Sequence, residues 1–359
     1  MYKLSFDDLL VSFFYISILI FTFFTDLSFN KYFSFVLLMM VLVKVVRDGV
    51  GIRATYVCSF NIIFYAIFIA LFALQYAKNG VLLNVGLLSL LSLLISVDFI
   101  KSLELRNIEL HRIVVGGLIL TFSLLTLQSA AGWKYTYTTG AGGILSAFML
   151  LAGFIMCYSS QSKQGKVLSY ILGGMLIVLS IRGPILSALL FVALSRNFRI
   201  MTYAKAGLSG VIVFLIVYAV APESRIFEMH MSGRWIHWLM IWAEFDWNTL
   251  LYGMGDASAA GVLLNHGMGG SMAAPHNEIL RIFHDFGLGG LALLVLSLIK
   301  MMGVIPENKW AFFSAILIPF IFDNAFSYFF SFMFLFLLAA LWSGSATCGE
   351  SNKMEQNRA

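Results

Sequence analysis

Twelve times along this chain the sequence runs for about 15 to 20 residues with hardly a polar side chain, the eighth run being shorter. The runs are Leu9–Phe24, Tyr32–Val46, Val57–Tyr76, Val81–Ile100, Ile113–Leu127, Gly142–Tyr158, Val167–Ser180, Pro184–Leu194, Ala206–Val220, Phe286–Met302, Trp310–Phe322 and Phe326–Trp342. They are continuous and do not alternate, which excludes the strands of a lipid-facing barrel. A single water-soluble core cannot absorb them: 60% of the 359 residues are apolar and 11% charged, against about 25% charged in soluble domains. Lipid must therefore be the solvent for much of the surface. There the backbone has to satisfy its own hydrogen bonds, which helices do within one segment. The expected fold is all-α: a polytopic membrane protein of about twelve transmembrane helices forming one domain over residues 1–359. One long loop, Ala221–Asp285, separates the ninth and tenth spans. Pro184 opens the eighth run, a position where its missing N–H costs nothing.

Alternate loops carry unequal positive charge. With the N-terminus inside, Lys31, Lys78, Lys134, Arg182, Arg225, Arg234 and Arg281 fall outside, and the remaining 16 of 23 Lys and Arg fall inside. That bias puts both termini in the cytoplasm and the long loop on the opposite side. It also accounts for the net charge of +5, so no nucleic-acid partner is expected. Cys58, Cys157 and Cys348 show no disulfide or metal spacing. The first run follows two acids, Asp7 and Asp8, and lacks a small-residue cleavage site, so no cleavable signal peptide is expected.

The long loop concentrates the chemistry. It holds five of the six histidines, His230, His237, His266, His276 and His284, and four of the seven tryptophans. Outside cations oppose the insertion bias, and Arg182, Arg225, Arg234 and Arg281 lie in or beside this loop. Arg234 follows Ser232-Gly233, with Ser232 available as a helix N-cap. Trp235, Trp238, Leu239 and Trp242 then fall on one helical face, and Arg234, His237, Ile241 and Glu244 on another. A helix with a tryptophan face suits the membrane interface. Gly253, Gly255 and the glycines of residues 261–270 leave the backbone free to approach a ligand or to move as a lid. Pro275 and Asn277 read as a helix start, placing His276 at a terminus whose unpaired N–H groups favour anions. A histidine there can exchange protons beside a phosphate, or it can be a capping residue only. The histidines lack the H-x-x-x-H spacing of helical zinc sites and there is no D-x-D pair, so no metal and no cofactor are expected.

Taken in order, Ile181-Arg182-Gly183, Ser232-Gly233-Arg234-Trp235, Tyr252-Gly253-Met254-Gly255, Pro275-His276-Asn277-Glu278-Ile279-Leu280 and Phe286-Gly287-Leu288-Gly289-Gly290 resemble the O-antigen polymerase and O-antigen ligase family. The matching part spans Arg182–Gly290; the rest is similar in hydropathy alone. The resemblance implies a metal-independent membrane glycosyltransferase at the outer face of the bacterial inner membrane. Its donor would be an undecaprenyl-diphosphate-linked glycan and its acceptor a glycan or lipid-linked sugar, with a chain-length regulator as partner in the same membrane. His276 would be the general base, with Arg182 and Arg234 stabilising the leaving diphosphate. Arg281, His237, Glu278, Asn277 and Trp235 would bind substrate or orient His276.

A polymerase and a ligase use the same donor and differ in acceptor, another lipid-linked repeat or lipid A–core. The short, phenylalanine-rich chain favours the polymerase. A transporter of lipid-linked oligosaccharides would carry charges inside its spans, inverted repeats and broken helices; the runs hold few charges and show no internal repeat.

Overall fold

The structure, a computed structural model, describes residues 5–24, 33–48, 59–80, 85–105, 107–129, 141–160, 162–179, 182–195, 234–268, 275–305, 308–322, 335, 337–340 and 342. Among them every regular element is a helix. In chain order these are α1 (Phe6–Phe24), α2 (Phe33–Asp48), α3 (Ser59–Asn79), α4 (Val85–Lys101), α5 (Ile108–Ser129), α6 (Ala141–Tyr158) and α7 (Lys163–Leu179). Then follow α8 (Arg182–Ser195), α9 (Arg234–Ala243), α10 (Trp247–Tyr252), α11 (Ser258–Asn265), α12 (Glu278–Val304) and α13 (Lys309–Phe322).

Helices α1 to α8 overlie the first eight apolar runs, and α12 and α13 overlie the tenth and eleventh. The expected ninth span, Ala206–Val220, and the first part of the polar stretch, with Arg225, His230 and the Ser232 cap, lie outside the described residues. Among the described residues three stretches are long and apolar enough to cross a membrane: Asn61–Lys78 in α3, Ile108–Leu125 in α5 and Glu278–Val304 in α12. Shorter apolar helices run over Ala147–Tyr158, Gly183–Ser195 and Lys309–Ile321. Phe13, Met39, Val46, Ile69, Tyr170, Ile177 and Leu189 point outward and are exposed. Helices that expose large apolar side chains so widely are compatible with lipid as the surrounding solvent.

Helix α12 starts at Glu278, a full two turns before the apolar run at Phe286. The Asn277 side chain accepts from Leu280 N–H at 2.9 Å and caps it, so polar residues that an apolar count discards form its head. The body of α12 packs against α3, α4 and α13, while α5, α6 and α7 pack on one another and α1 joins α5 and α6. One apolar cluster runs through all of these, from Val11 and Phe14 to Leu338 and Trp342.

The sequence reading counted Lys44, Arg112 and Lys300 on the cytoplasmic side, within or beside the ends of their runs. The structure gives each of them partners within the bundle. Lys44 bonds Asp7 at 2.9 Å and Asp48 at 2.7 Å, and Lys300 bonds Asp98 and the Asn61 side chain, which itself donates to Asp98 at 2.9 Å. His111 Nε2 lies 2.9 Å from Asp8 Oδ1. Arg112, wholly buried, bonds Glu109 at 2.6 Å and donates to the carbonyls of Ser159 and Trp342. Ser159 follows the last residue of α6, so Arg112 satisfies a carbonyl that has no partner further along its own helix. Removing one member of such a buried pair costs about 3–5 kcal/mol, because the other charge stays behind.

The contacts fix the directions of three helices. Asn61, near the start of α3, meets Asp98 near the end of α4 and Lys300 near the end of α12. Helix α3 is therefore antiparallel to both, and its last turn rises to the same end as the head of α12.

Candidate functional site at the head of α12

The first residues of α12 carry Glu278, Arg281, His284 and Asp285, at spacings that put Arg281 within reach of both acids. Arg281 Nε donates to Glu278 Oε2 at 2.6 Å and Nη1 to Asp285 Oδ2 at 3.2 Å. Both carboxylates are 0% exposed. Asp285 does more than pair with Arg281. Its Oδ1 accepts from Ser258 Oγ and the Ala259 N–H, each at 2.9 Å, and its Oδ2 from the Ala257 N–H at 3.2 Å. Helix α11 has no cap of its own, since Ala257 stands at its N-cap with φ 64° and no side-chain bond. Asp285 supplies the cap from another helix.

Ser258 Oγ also lies 2.9 Å from His284 Nδ1. A hydroxyl has one proton to give, and Asp285 accepts it, so His284 Nδ1 is the donor to Ser258 Oγ and Nε2 stands outside this network. That nitrogen is buried and has no hydrogen-bond partner among the described residues; the Phe245 ring stands edge-on, 5.2 Å from the imidazole. The sequence reading placed His284 among loop or interface residues. Its true setting depends on Ser258, 26 positions away.

The two glycine motifs meet each other. Helix α12 breaks at Gly287, with φ 61° and ψ −157°, a conformation essentially reserved for glycine. At the break, Met254 N–H donates to His284 O and Gly255 N–H to Asp285 O, both at 2.9 Å. A Cβ on Gly253 would stand 2.3 Å from Asp285 O, and one on Gly287 would stand 2.7 Å from the Leu251 carbonyl. Sequence reasoning offered Gly253 to a ligand or a lid; here Gly253, like Gly287, admits protein backbone. Gly287→Ala is expected to cost about 1–3 kcal/mol from backbone conformation alone, with the clash added. Gly174→Ala, whose Cβ meets nothing within 4 Å, should be neutral or slightly stabilising. Thermal unfolding midpoints in detergent compare the two; equal midpoints would remove the docking role.

Around this hub lie α9 and the turn that carries His276. Arg234 is the first residue of α9, half-buried. His237 and Ile241 turn inward, Ile241 packing with Ala259 and Leu263 in a small second core that also touches Leu280. Trp235, Leu239 and Trp242 are exposed as expected, but Trp238 turns in and donates from Nε1 to Pro275 O at 2.9 Å. That bond ties α9 to the turn carrying His276. His276 itself is half-buried and left-handed, φ 52°, immediately before the Asn277 cap. His266 ends α11 and is exposed, with Nε2 4.0 Å from Glu244. Asp246 caps α10, and the Thr249 backbone N–H, then its hydroxyl, hold that carboxyl below the usual carboxylate range. Arg182 opens α8, whose main neighbours are α6, α7 and α13; its side chain lies outside the described residues.

The arrangement thus brings Arg234's helix, His276 and the Glu278–Arg281–Asp285 set to one end of the bundle. Arg281 is flanked by two carboxylates, so its charge is already matched and offers little to an anionic ligand. Among the described residues no three His, Cys, Asp or Glu side chains are grouped to hold a metal ion. No protein-family model matches the chain, and no curated protein matches its sequence.

Proposed function

We propose that the chain is a membrane glycosyltransferase of the O-antigen polymerase kind. It moves an undecaprenyl-diphosphate-linked glycan onto an acceptor sugar hydroxyl at the outer face of the bacterial inner membrane. One observation supports this reading above the rest. The bond from Trp238 Nε1 to Pro275 O joins the helix that Arg234 opens to the turn that presents His276.

In this reading all twelve runs span the membrane, both termini are cytoplasmic, and the head of α12 faces outward. His276 takes the proton of the acceptor hydroxyl as its oxygen bonds to the anomeric carbon of the donor. The bond from that carbon to the diphosphate breaks, and the diphosphate leaves with the electron pair. Arg234 and Arg182 meet the charge that develops on it. The exposed tryptophan face of α9 holds the assembly at the level of the lipid headgroups.

A transporter built on a broken helix would turn its freed carbonyls towards the cargo. At the Gly287 break the His284 and Asp285 carbonyls are taken by Met254 and Gly255, which disfavours that alternative. The test is to delete the gene and resolve the surface polysaccharide by size. Core bearing a single repeat is the expected result. Bare core with accumulated lipid-linked polymer would assign the ligase instead, and an unchanged ladder would end both readings.

A further inference from the structure

Arg281 is neutralised, but another cation at the same end of the bundle is not. Lys78 lies in the last turn of α3, where the Gly80 N–H closes the helix onto Tyr76 O at 2.8 Å. Its Nζ donates to Gly253 O at 2.8 Å and comes within 4.0 Å of the weakly accepting Met254 sulfur. An ammonium has three protons to give, and no carboxylate among the described residues pairs with this one. Lys78 is also held in place. Gly253 is fixed against Asp285 and Phe286 by contacts that leave no room for a Cβ, and Gln75 Nε2 secures the adjacent Tyr252 carbonyl at 3.2 Å.

Its surroundings are those of a lipid boundary. Lys78 is the last residue of the stretch Asn61–Lys78, long and apolar enough to cross a membrane. Met254, whose sulfur Lys78 reaches, is large, apolar and exposed, as are Leu251 and Tyr252 just before Gly253 in the chain and Tyr76 in the same last turn of α3. An ordinary anchoring lysine snorkels to the interface on a mobile stem. This one is set on a rigid carbonyl, keeps donors to spare, and stands above a greasy rim.

We propose that Lys78, with the Tyr76–Leu251–Tyr252–Met254 rim, binds the phosphate group of a membrane lipid, the rim receiving the first methylenes of its chain. That this lipid is the polyprenyl diphosphate donor rests on the proposed function; the phosphate site itself does not.

The test uses the full-length chain purified in detergent and titrated separately with undecaprenyl diphosphate and with phosphatidylglycerol, bound lipid being counted by native mass spectrometry. Lys78→Gln should weaken binding about five- to tenfold, and Lys78→Arg should stay close to the parent chain. Lys101→Gln, a cation at the opposite end of α4, should change nothing. A loss for undecaprenyl diphosphate alone supports the site and its use by the donor. A loss for phosphatidylglycerol alone supports the site and removes the donor from it. Unchanged binding of both lipids by Lys78→Gln overturns the proposal, as does an equal loss in Lys101→Gln. Neither of those results touches the His276 reading, which the polysaccharide ladder decides.

Discussion

Asp285→Ala is expected to destabilise the end of the bundle at the head of α12 by about 3–5 kcal/mol. One carboxylate there accepts four hydrogen bonds, from Ser258, Ala259, Ala257 and Arg281. Its removal strips α11 of its only described cap, worth about 1 kcal/mol, and takes from Arg281 one of its two bonded carboxylates. The damage should be local at first, because the apolar cluster of the spans does not depend on this group. Hydrogen exchange measured by mass spectrometry should show residues 255–268 losing protection while α5 and α6 keep theirs. If those residues exchanged as slowly as in the parent chain, the cap would have to come from elsewhere.

His276→Ala is expected to lower polymer formation by about 10²- to 10⁴-fold, the range for losing a general base, with lipid-linked single repeats accumulating. The backbone complicates that variant, since His276 holds φ 52° and alanine in that region costs about 1–2 kcal/mol. His276→Asn removes the objection: asparagine tolerates the left-handed conformation but cannot serve as the base. Both variants should be equally inactive and equally well folded by hydrogen exchange. An active asparagine variant would show that the position matters for its turn, and proton transfer would have to be sought at another group.

The parts of the fold that local chemistry decides were legible. A helix was expected over the apolar run Gly142–Tyr158 and α6 runs over Ala141–Tyr158, because an apolar run away from water has to close its own hydrogen bonds. The Pro275-His276-Asn277 turn was equally readable, since its cap needs only Leu280, three residues on. Contacts that join distant segments were not. Lys78 meets Gly253 across 175 positions, and no periodicity announces that a glycine is there to admit a neighbouring chain. Arg281 lies between: Glu278 and Asp285 stand at helical spacing on either side of it. Its pairing could have been read from the sequence, but as an outside cation it suggested a phosphate ligand first.

The Asn61–Asp98–Lys300 cluster bears on how the chain is made. Asp98 and Lys300 are 202 positions apart, so at about 5–20 residues per second the aspartate emerges roughly 10–40 s before its counter-ion. Through that interval α3 and α4 hold an acid whose one side-chain partner among the described residues then present is the Asn61 amide. Docking of α12 is then the step that neutralises it. The same helix carries Lys300 at one end and His276's turn at the other. The docking that neutralises Asp98 is thus also the step that brings in the candidate site.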